Sequence, residues 1–216
     1  MMSLKSLFPV SWHYILSNVK HTIFGYARYA QFGEDAVLLE LFKDTSKGVY
    51  VDVGAHHPYR YSNTYLLYKK GWHGINIDPN PHTIHLFNKE RPGDKNICSG
   101  VGPAGTMAYY QFSDPAVNTF KETEARKWMG KSFLTFLGTV KINVQPLSKL
   151  VERPFDLLSI DAEGMDLEVL ESYDWKYHPR VVVVEGDNSK EFLLQKGYLL
   201  HAQCGPSFIY LYPQLR

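Results

Sequence analysis

The feature that most constrains this chain is a set of short apolar runs, each closed at its carboxyl end by glycine, proline or an acidic residue. Val49 to Val53 (VYVDV) runs into Gly54, Gly74 to Asp78 (GINID) into Pro79, Phe155 to Ile160 into Asp161, and Val181 to Val184 into Glu185. Such runs are short for core helices and carry the β-branched content of buried strands. A further strand is expected around Asn96 to Val101. Between the runs lie segments with helical spacing: Ser62 to Lys70, opened by Ser62 as a cap, then Pro81 to Lys89, Met165 to Ser172 and Ser189 to Gln195. Strands that alternate with helices pair in parallel through right-handed crossovers. The last two strand-like runs, Tyr198 to Ala202 and Phe208 to Tyr212, are joined only by a short stretch holding Cys204-Gly205-Pro206. No crossover fits there, so an antiparallel hairpin is expected at one side of the sheet.

No repeat, linker or compositional break divides the chain, so residues 1–216 are expected to form a single α/β domain. Residues 1–47 read as an N-terminal helical segment in which Phe32, Ala36, Leu39 and Phe42 recur at helix spacing. Trp12 and the Tyr26 and Tyr29 pair are expected to pack such a helix. Residues 104–146 read as an insertion near the active site, with TMAYYQF and GTVKINV as strands around a helix-like KETEARKW.

Charge excludes some functions. Lys plus Arg (23) almost cancels Asp plus Glu (22), so the overall field gives no reason to expect nucleic acid or an anionic membrane as partner. No apolar run approaches the roughly 18 to 20 residues of a membrane span. Cys98 and Cys204 lack metal-ligand spacing and are read as free thiols, which makes a cytoplasmic setting the simplest expectation.

In open parallel sheets, ligands bind beyond the carboxyl ends of the strands where the strand order reverses. Here those positions are polar. Asp52 lies inside the end of the first strand, followed by Gly54, Ala55, His56 and His57, and Asp78 ends the second. Asp161-Ala162-Glu163-Gly164 follows the fourth, and Glu185-Gly186-Asp187-Asn188 the fifth. An acidic residue ending the second strand can accept bonds from both hydroxyls of a ribose, which suggests an adenosine-containing cofactor without separating NAD from S-adenosylmethionine. The loop VDVGAHHP has one glycine and two imidazoles where a pyrophosphate needs GxGxxG, and S-adenosylmethionine carries no phosphate.

The sequence resembles the FkbM-type methyltransferases in YAQFGEDAVL (29–38), VYVDVGAHHPYRYSNTYLLYKKGWHGINIDPNP (49–81), VNTF (117–120), FDLLSIDAEGMDLEVLESYDW (155–175) and VVVVE (181–185). The resemblance implies a Rossmann-like class I methyltransferase fold, a seven-stranded mostly parallel sheet with helices on both faces. It also implies methyl transfer from S-adenosylmethionine to a hydroxyl of a sugar, glycan precursor or other small metabolite. The expected cofactor set is Asp52, Gly54, Ala55, His56, Ser62, Asn63, Asp78, Pro79 and Ser99, with Thr64 beside Ser62 and Asn63. Gln31, Glu34 and Asp35 are candidates to close over it.

A hydroxyl acceptor must be held at near-attack distance and must lose its proton. His56, His57, Asp161, Glu163 and Glu185 are the candidates, with His57, Asp161 and Glu163 expected to be catalytic and His57 preferred as base. Asn118, Thr119 and Tyr109, with Tyr110, are expected to line an acceptor pocket. Hard oxygen donors at Asp161, Glu185 and Asn188, near Asp187, would suit magnesium, but base catalysis without a metal is favoured. The competing readings are an NAD(P)-dependent oxidoreductase, disfavoured by the missing glycines, and a catalytically silent cofactor-binding protein.

Overall fold

A computed structural model describes residues 28–213. The readings at Trp12 and Tyr26 lie outside those residues. Tyr29 is described, and its ring meets Tyr65 edge-on at 4.6 Å.

In chain order the elements are α1 (Glu34–Leu41), β1 (Val49–Val53), α2 (Tyr65–Lys69), β2 (His73–Asp78), α3 (Pro81–Glu90), β3 (Lys95–Cys98), β4 (Gly100–Val101) and β5 (Gly105–Phe112). A 3₁₀ turn (Pro115–Val117) precedes α4 (Glu122–Trp128), β6 (Phe136–Gln145), α5 (Leu147–Leu150), β7 (Leu157–Ile160) and α6 (Asp166–Glu171). Then come β8 (Val181–Glu185), α7 (Lys190–Gln195), β9 (Leu199–Cys204) and β10 (Ser207–Leu211).

Seven strands form the main sheet in the order β3-β2-β1-β7-β8-β10-β9. The first five are parallel, and β10 runs antiparallel to both β8 and β9, as the short connection between the last two runs requires. The chain moves outward from β1 through β2 to β3, then returns to place β7 on the other side of β1. The strand order therefore reverses between β1 and β7, and a crevice opens above their carboxyl ends.

Alternation along the strands covers both faces, since successive side chains point to opposite sides. Val51, Val53, Leu158, Ile160, Val182 and Val184 pack with Leu147, Val169, Leu170 and Leu193 of the helices on one side. Tyr50, Leu157, Val181 and Val183 pack with Leu38, Phe42, Leu67 and Trp72 on the other.

Local readings shift in four places. The expected strand at Asn96 to Val101 divides at Ser99: β3 joins the main sheet, while β4 joins a second, three-stranded sheet of order β4-β6-β5. The expected insertion supplies the other two strands, paired antiparallel. Ser62 does not cap a helix; α2 starts after Thr64 with no side-chain cap. In α1 the buried positions are Glu34, Asp35 and Leu38, and Phe32 lies before the helix, exposed.

Behind the β1 loop lies a polar hub. Arg91, just past α3, is completely buried. Its guanidinium donates to Thr64 Oγ1 (2.9 Å), Ser62 Oγ (2.8 Å) and the Pro58 carbonyl, and it packs against the rings of Phe87, Tyr65 and Tyr68. Thr64 passes its own proton to Asp52 (2.7 Å). Asp94, with a fully buried side chain, accepts from the Tyr50 hydroxyl, the Gly74 amide (2.8 Å) and Asn76 (3.0 Å). One buried cation thus offsets two buried carboxylates and fixes the loop after β1.

Arg91→Ala strips that cation and leaves both acids uncompensated, so it is expected to cost about 3–5 kcal/mol of stability. Lys89→Ala, two residues earlier and solvent-facing, should stay within about 0.5 kcal/mol. Urea unfolding of the two variants checks the contrast.

Candidate functional site

A cavity of about 300 Å³ lies over the carboxyl ends of β1, β2, β7 and β8. At its centre the turns after β1 and β7 nearly touch. Gly54 has φ +72°, and a methyl group built on it would collide with the Asp161 carbonyl oxygen. Only glycine combines that left-handed backbone with so close an approach.

Of the expected cofactor set, Asp52, Gly54, Ala55, His56, Ser62, Asn63, Asp78, Pro79 and Ser99 all line this cavity. Asp78 ends β2, where its carboxylate accepts from the amides of His56 (3.0 Å) and Asn80 (2.8 Å). Burial pushes its pKa up to about 6 against those two bonds. Burial likewise raises Asp52, against the bond from Thr64. Asn63 donates to Ser159 Oγ (3.2 Å), and Ser99 donates to the Gly100 carbonyl (2.8 Å). Ser62 is committed to Arg91 and Thr64.

The two histidines part company. His56 faces the cavity, its Nε2 buried with no hydrogen-bond partner, and burial with the nearby Arg60 lowers its pKa to about 4. His57 lies outside the cavity lining, and its Nδ1 accepts from the amides of Tyr59 (3.3 Å) and Arg60 (3.2 Å). Burial and Arg60 lower it to about 4 as well. The geometry therefore sets the expected base in the loop, away from the cavity.

Asp161, Glu163 and Glu185 converge instead. One carboxylate oxygen from each lies within 4.8 Å of the others. Asp161 is exposed to the cleft, and its carboxyl lies beside those of Glu163 and Glu185. Desolvation by the surrounding protein, then the nearby Glu185 and Glu163, hold its carboxyl well above the usual range. Burial and Glu185 raise Glu163 to about 8. Asp166, wholly buried at the start of α6, is pushed up to about 7 by burial while accepting from the Glu185 amide (3.2 Å). That bond fixes where β8 delivers Glu185.

Glu163 is held at φ +48°, a conformation that costs a residue with a Cβ. The insertion supports it: Thr119 Oγ1 donates to the Glu163 carbonyl (2.8 Å), and Lys121 pairs with Glu168. Thr119 is therefore spent on the main chain and does not line the cavity, and neither does Tyr110. Asn118 and Tyr109 do line it, with the Asn118 amide oxygen accepting from the Phe112 amide (2.7 Å). Asn188 and Asp187 are exposed, α7 begins after Ser189, and Glu163 takes the place beside Asp161 and Glu185 expected of Asn188. Gln31 and Phe32 reach the cavity, whereas Glu34 and Asp35 turn back to hold the amides of Phe32, Tyr29, Ala30 and Ala36.

The lining also includes Phe120, read with Asn118 as an acceptor contact, and Tyr61, Trp128, Ser159 and Met165, which the sequence reading passed over. Ser159 was within reach of strand alternation, two residues before Asp161. Arg91 and Asp166 gave no such signal.

Among the described residues the lining has five carboxylates and no Lys or Arg. That donor set suits a ligand with net positive charge and opposes a pyrophosphate. With the Gly54 cradle and the unpartnered His56 Nε2, it fits S-adenosylmethionine, whose sulfonium and ammonium outweigh its one carboxylate.

A methyltransferase FkbM domain profile matches residues 52–206. The structure is similar to a methyltransferase FkbM from Methylobacillus flagellatus, with 13% identity and a TM-score of 0.49, over 77% of this chain and 44% of that one. The chain thus spans less than half of that protein's length. A TehB-like SAM-dependent methyltransferase from Corynebacterium glutamicum matches at 12% identity and a TM-score of 0.42, over 94% of this chain and 98% of that one. No curated protein matches.

The raised carboxyls have a consequence for stability. Each keeps its proton in the folded chain beyond the pH at which the unfolded chain loses it, so the stability it contributes is present at low pH and is lost as pH rises through its folded pKa. The lowered histidines act oppositely, gaining stability between about pH 4 and 6.5, and are neutral in both states above that. From pH 6.5 to 8, therefore, the protein should lose stability, and Glu163→Gln should lose clearly less. Urea unfolding at the two pH values tests this; equal losses would mean that Glu163 titrates normally.

Proposed function

Because the chain belongs to the FkbM methyltransferase family, we propose that its cleft performs S-adenosylmethionine-dependent methyl transfer to a hydroxyl of a sugar, glycan precursor or other small metabolite. The observation that carries this reading is the pairing of an acidic lining, free of Lys and Arg among the described residues, with three converging carboxylates at the crossover of the sheet.

When bound, S-adenosylmethionine supplies a methyl group activated by its sulfonium. The chain's own residues do the rest. Asp78, already oriented by two amides, has lone pairs left to accept the ribose hydroxyls. Gly54 keeps the β1 turn low so that the ligand can lie across both turns. Asn118 and Tyr109, with Trp128 and Phe120, form the wall on which an acceptor is oriented. On transfer the methyl–sulfur bond would break as the methyl–oxygen bond forms, leaving neutral S-adenosylhomocysteine, and the acceptor's proton would pass to a carboxylate of Asp161, Glu163 or Glu185. A group whose pKa is raised toward neutrality is a better base here than an imidazole lowered to about 4. Asp161 and Glu163 thus keep the catalytic role read from the sequence, and His57 passes its role to them. The two free cysteines accord with a cytoplasmic setting.

A magnesium-assisted variant rests on the same trio, since three clustered carboxylates are hard oxygen ligands. Base catalysis is preferred, and activity should then survive chelation. Complete loss, restored by magnesium, would favour the metal.

Calorimetry of the purified chain should detect S-adenosylmethionine and not NAD. Asp78→Ala should weaken cofactor binding by about 2–4 kcal/mol while the chain stays folded by circular dichroism. Unchanged affinity in a folded variant would remove Asp78 from the cofactor site.

A further inference from the structure

The near-zero charge of the whole chain conceals a local imbalance at the far end of the second sheet. Between Glu124 and Glu152 the sequence holds no acidic residue. Within that stretch Met129, Phe133, Phe136, Leu137 and Val140 are all exposed, Phe133 by 61% and Leu137 by 65%. Large apolar side chains rarely crowd one stretch of surface without a partner. Arg126 and Lys127 are neutralised by Glu122 and Glu124. Lys131 and Lys141 are exposed and make no ion pair among the described residues.

We propose that residues 129–141, at the tip of the second sheet, form a peripheral docking surface for an anionic lipid bilayer. Aromatic and leucine side chains flanked by lysines are the chemistry that settles in the headgroup region: the apolar groups enter the acyl boundary, and the ammonium groups meet lipid phosphates. A second copy of the chain fits this surface less well, because residues 129–141 of a two-fold mate carry no acidic residue to pair with the lysines. No helix among the described residues is long and apolar enough to cross a membrane, so the attachment is peripheral. The surface adjoins the cleft, since Trp128 lines the cavity and Met129 begins the exposed run. Docking would bring the mouth of the cavity to the headgroups, where an acceptor carried on a lipid could reach it. The surface stands whether or not methyl transfer is the reaction.

The test is sedimentation of the full chain with vesicles of phosphatidylcholine alone and vesicles containing phosphatidylglycerol. Binding should favour the anionic vesicles. The double variant Lys131→Gln with Lys141→Gln should weaken it by about tenfold or more, each lysine being worth about fivefold. Phe133→Ser with Leu137→Ser should weaken it comparably. Leu199→Ser with Leu200→Ser, exposed residues on the opposite edge of the main sheet, should leave it unchanged. Thermal melts confirm that the variants are folded. The proposal is overturned if neither vesicle binds. It is also overturned if binding survives both patch variants, or is lost only on deleting residues 1–27. Concentration-dependent self-association that the patch variants abolish would assign the surface to a second copy and overturn it too.

Discussion

The rest of the site depends on how closely two turns meet. The main chain after β1 reaches the main chain after β7 at Gly54, where there is room for a hydrogen and nothing larger. That approach is possible because the strand order reverses between these two strands, so no crossover helix stands between their ends. From it follow the placement of Asp52 and His56 on one side of the cavity and of Asp161 and Glu163 on the other. The carboxylates that follow are crowded by the backbone itself, and their proton affinity is a consequence of that crowding.

Such crowding is costly, and the surrounding structure offsets it in two different ways. Behind β1, the buried Arg91 neutralises Asp52 and Asp94 through Thr64, Ser62 and Tyr50, so the loop facing the cofactor side is rigid. Behind β7 no buried Lys or Arg does the same among the described residues. There the proton affinities of Asp161, Glu163 and Asp166 are raised instead, and the bonds from Thr119 to the Glu163 carbonyl and from the Glu185 amide to Asp166 fix the geometry. One half of the cleft is therefore built against a buried cation, and the other around carboxyls whose proton affinity is raised by one another. That division matches the two tasks of a methyl transfer, which are to hold a cationic cofactor and to take up a proton from the acceptor.

Much of this was legible in the sequence because strands announce themselves by composition and their carboxyl ends by the residues that stop them. VYVDVG, GINIDP and LLSIDAEG gave both the sheet and the positions of Asp52, Asp78 and Asp161. What was hidden depends on contacts far apart in the chain. Nothing about Arg91, in a run of polar residues after a helix, marks it as the largest buried cation of the fold. His57 was preferred to His56 as base although adjacent residues share a sequence context, and the left-handed backbone at His56 turns the two rings apart. Asn188 looked like a ligand by its place after β8, but β8 delivers Glu185 into the cleft and the chain then leaves it. Thr119 read as an acceptor contact, and its hydroxyl is taken by the Glu163 carbonyl. In each case the residue type was informative and the direction of its side chain was not.

The claim at the centre of this account is that Asp161 and Glu163 bind protons more tightly than free carboxyls because the turns force them against Glu185. Carbon-13 NMR titration of the aspartate and glutamate carboxyls measures this without knowledge of the acceptor. The account requires at least one resonance, assigned to Asp161 or Glu163 by its loss in Asp161→Asn or Glu163→Gln, to change only above pH 6. In Glu185→Gln that midpoint should fall. If both carboxyls instead titrate near the ordinary value of about 4 and ignore the substitution of Glu185, the three act as independent surface acids and the proposed base is not there.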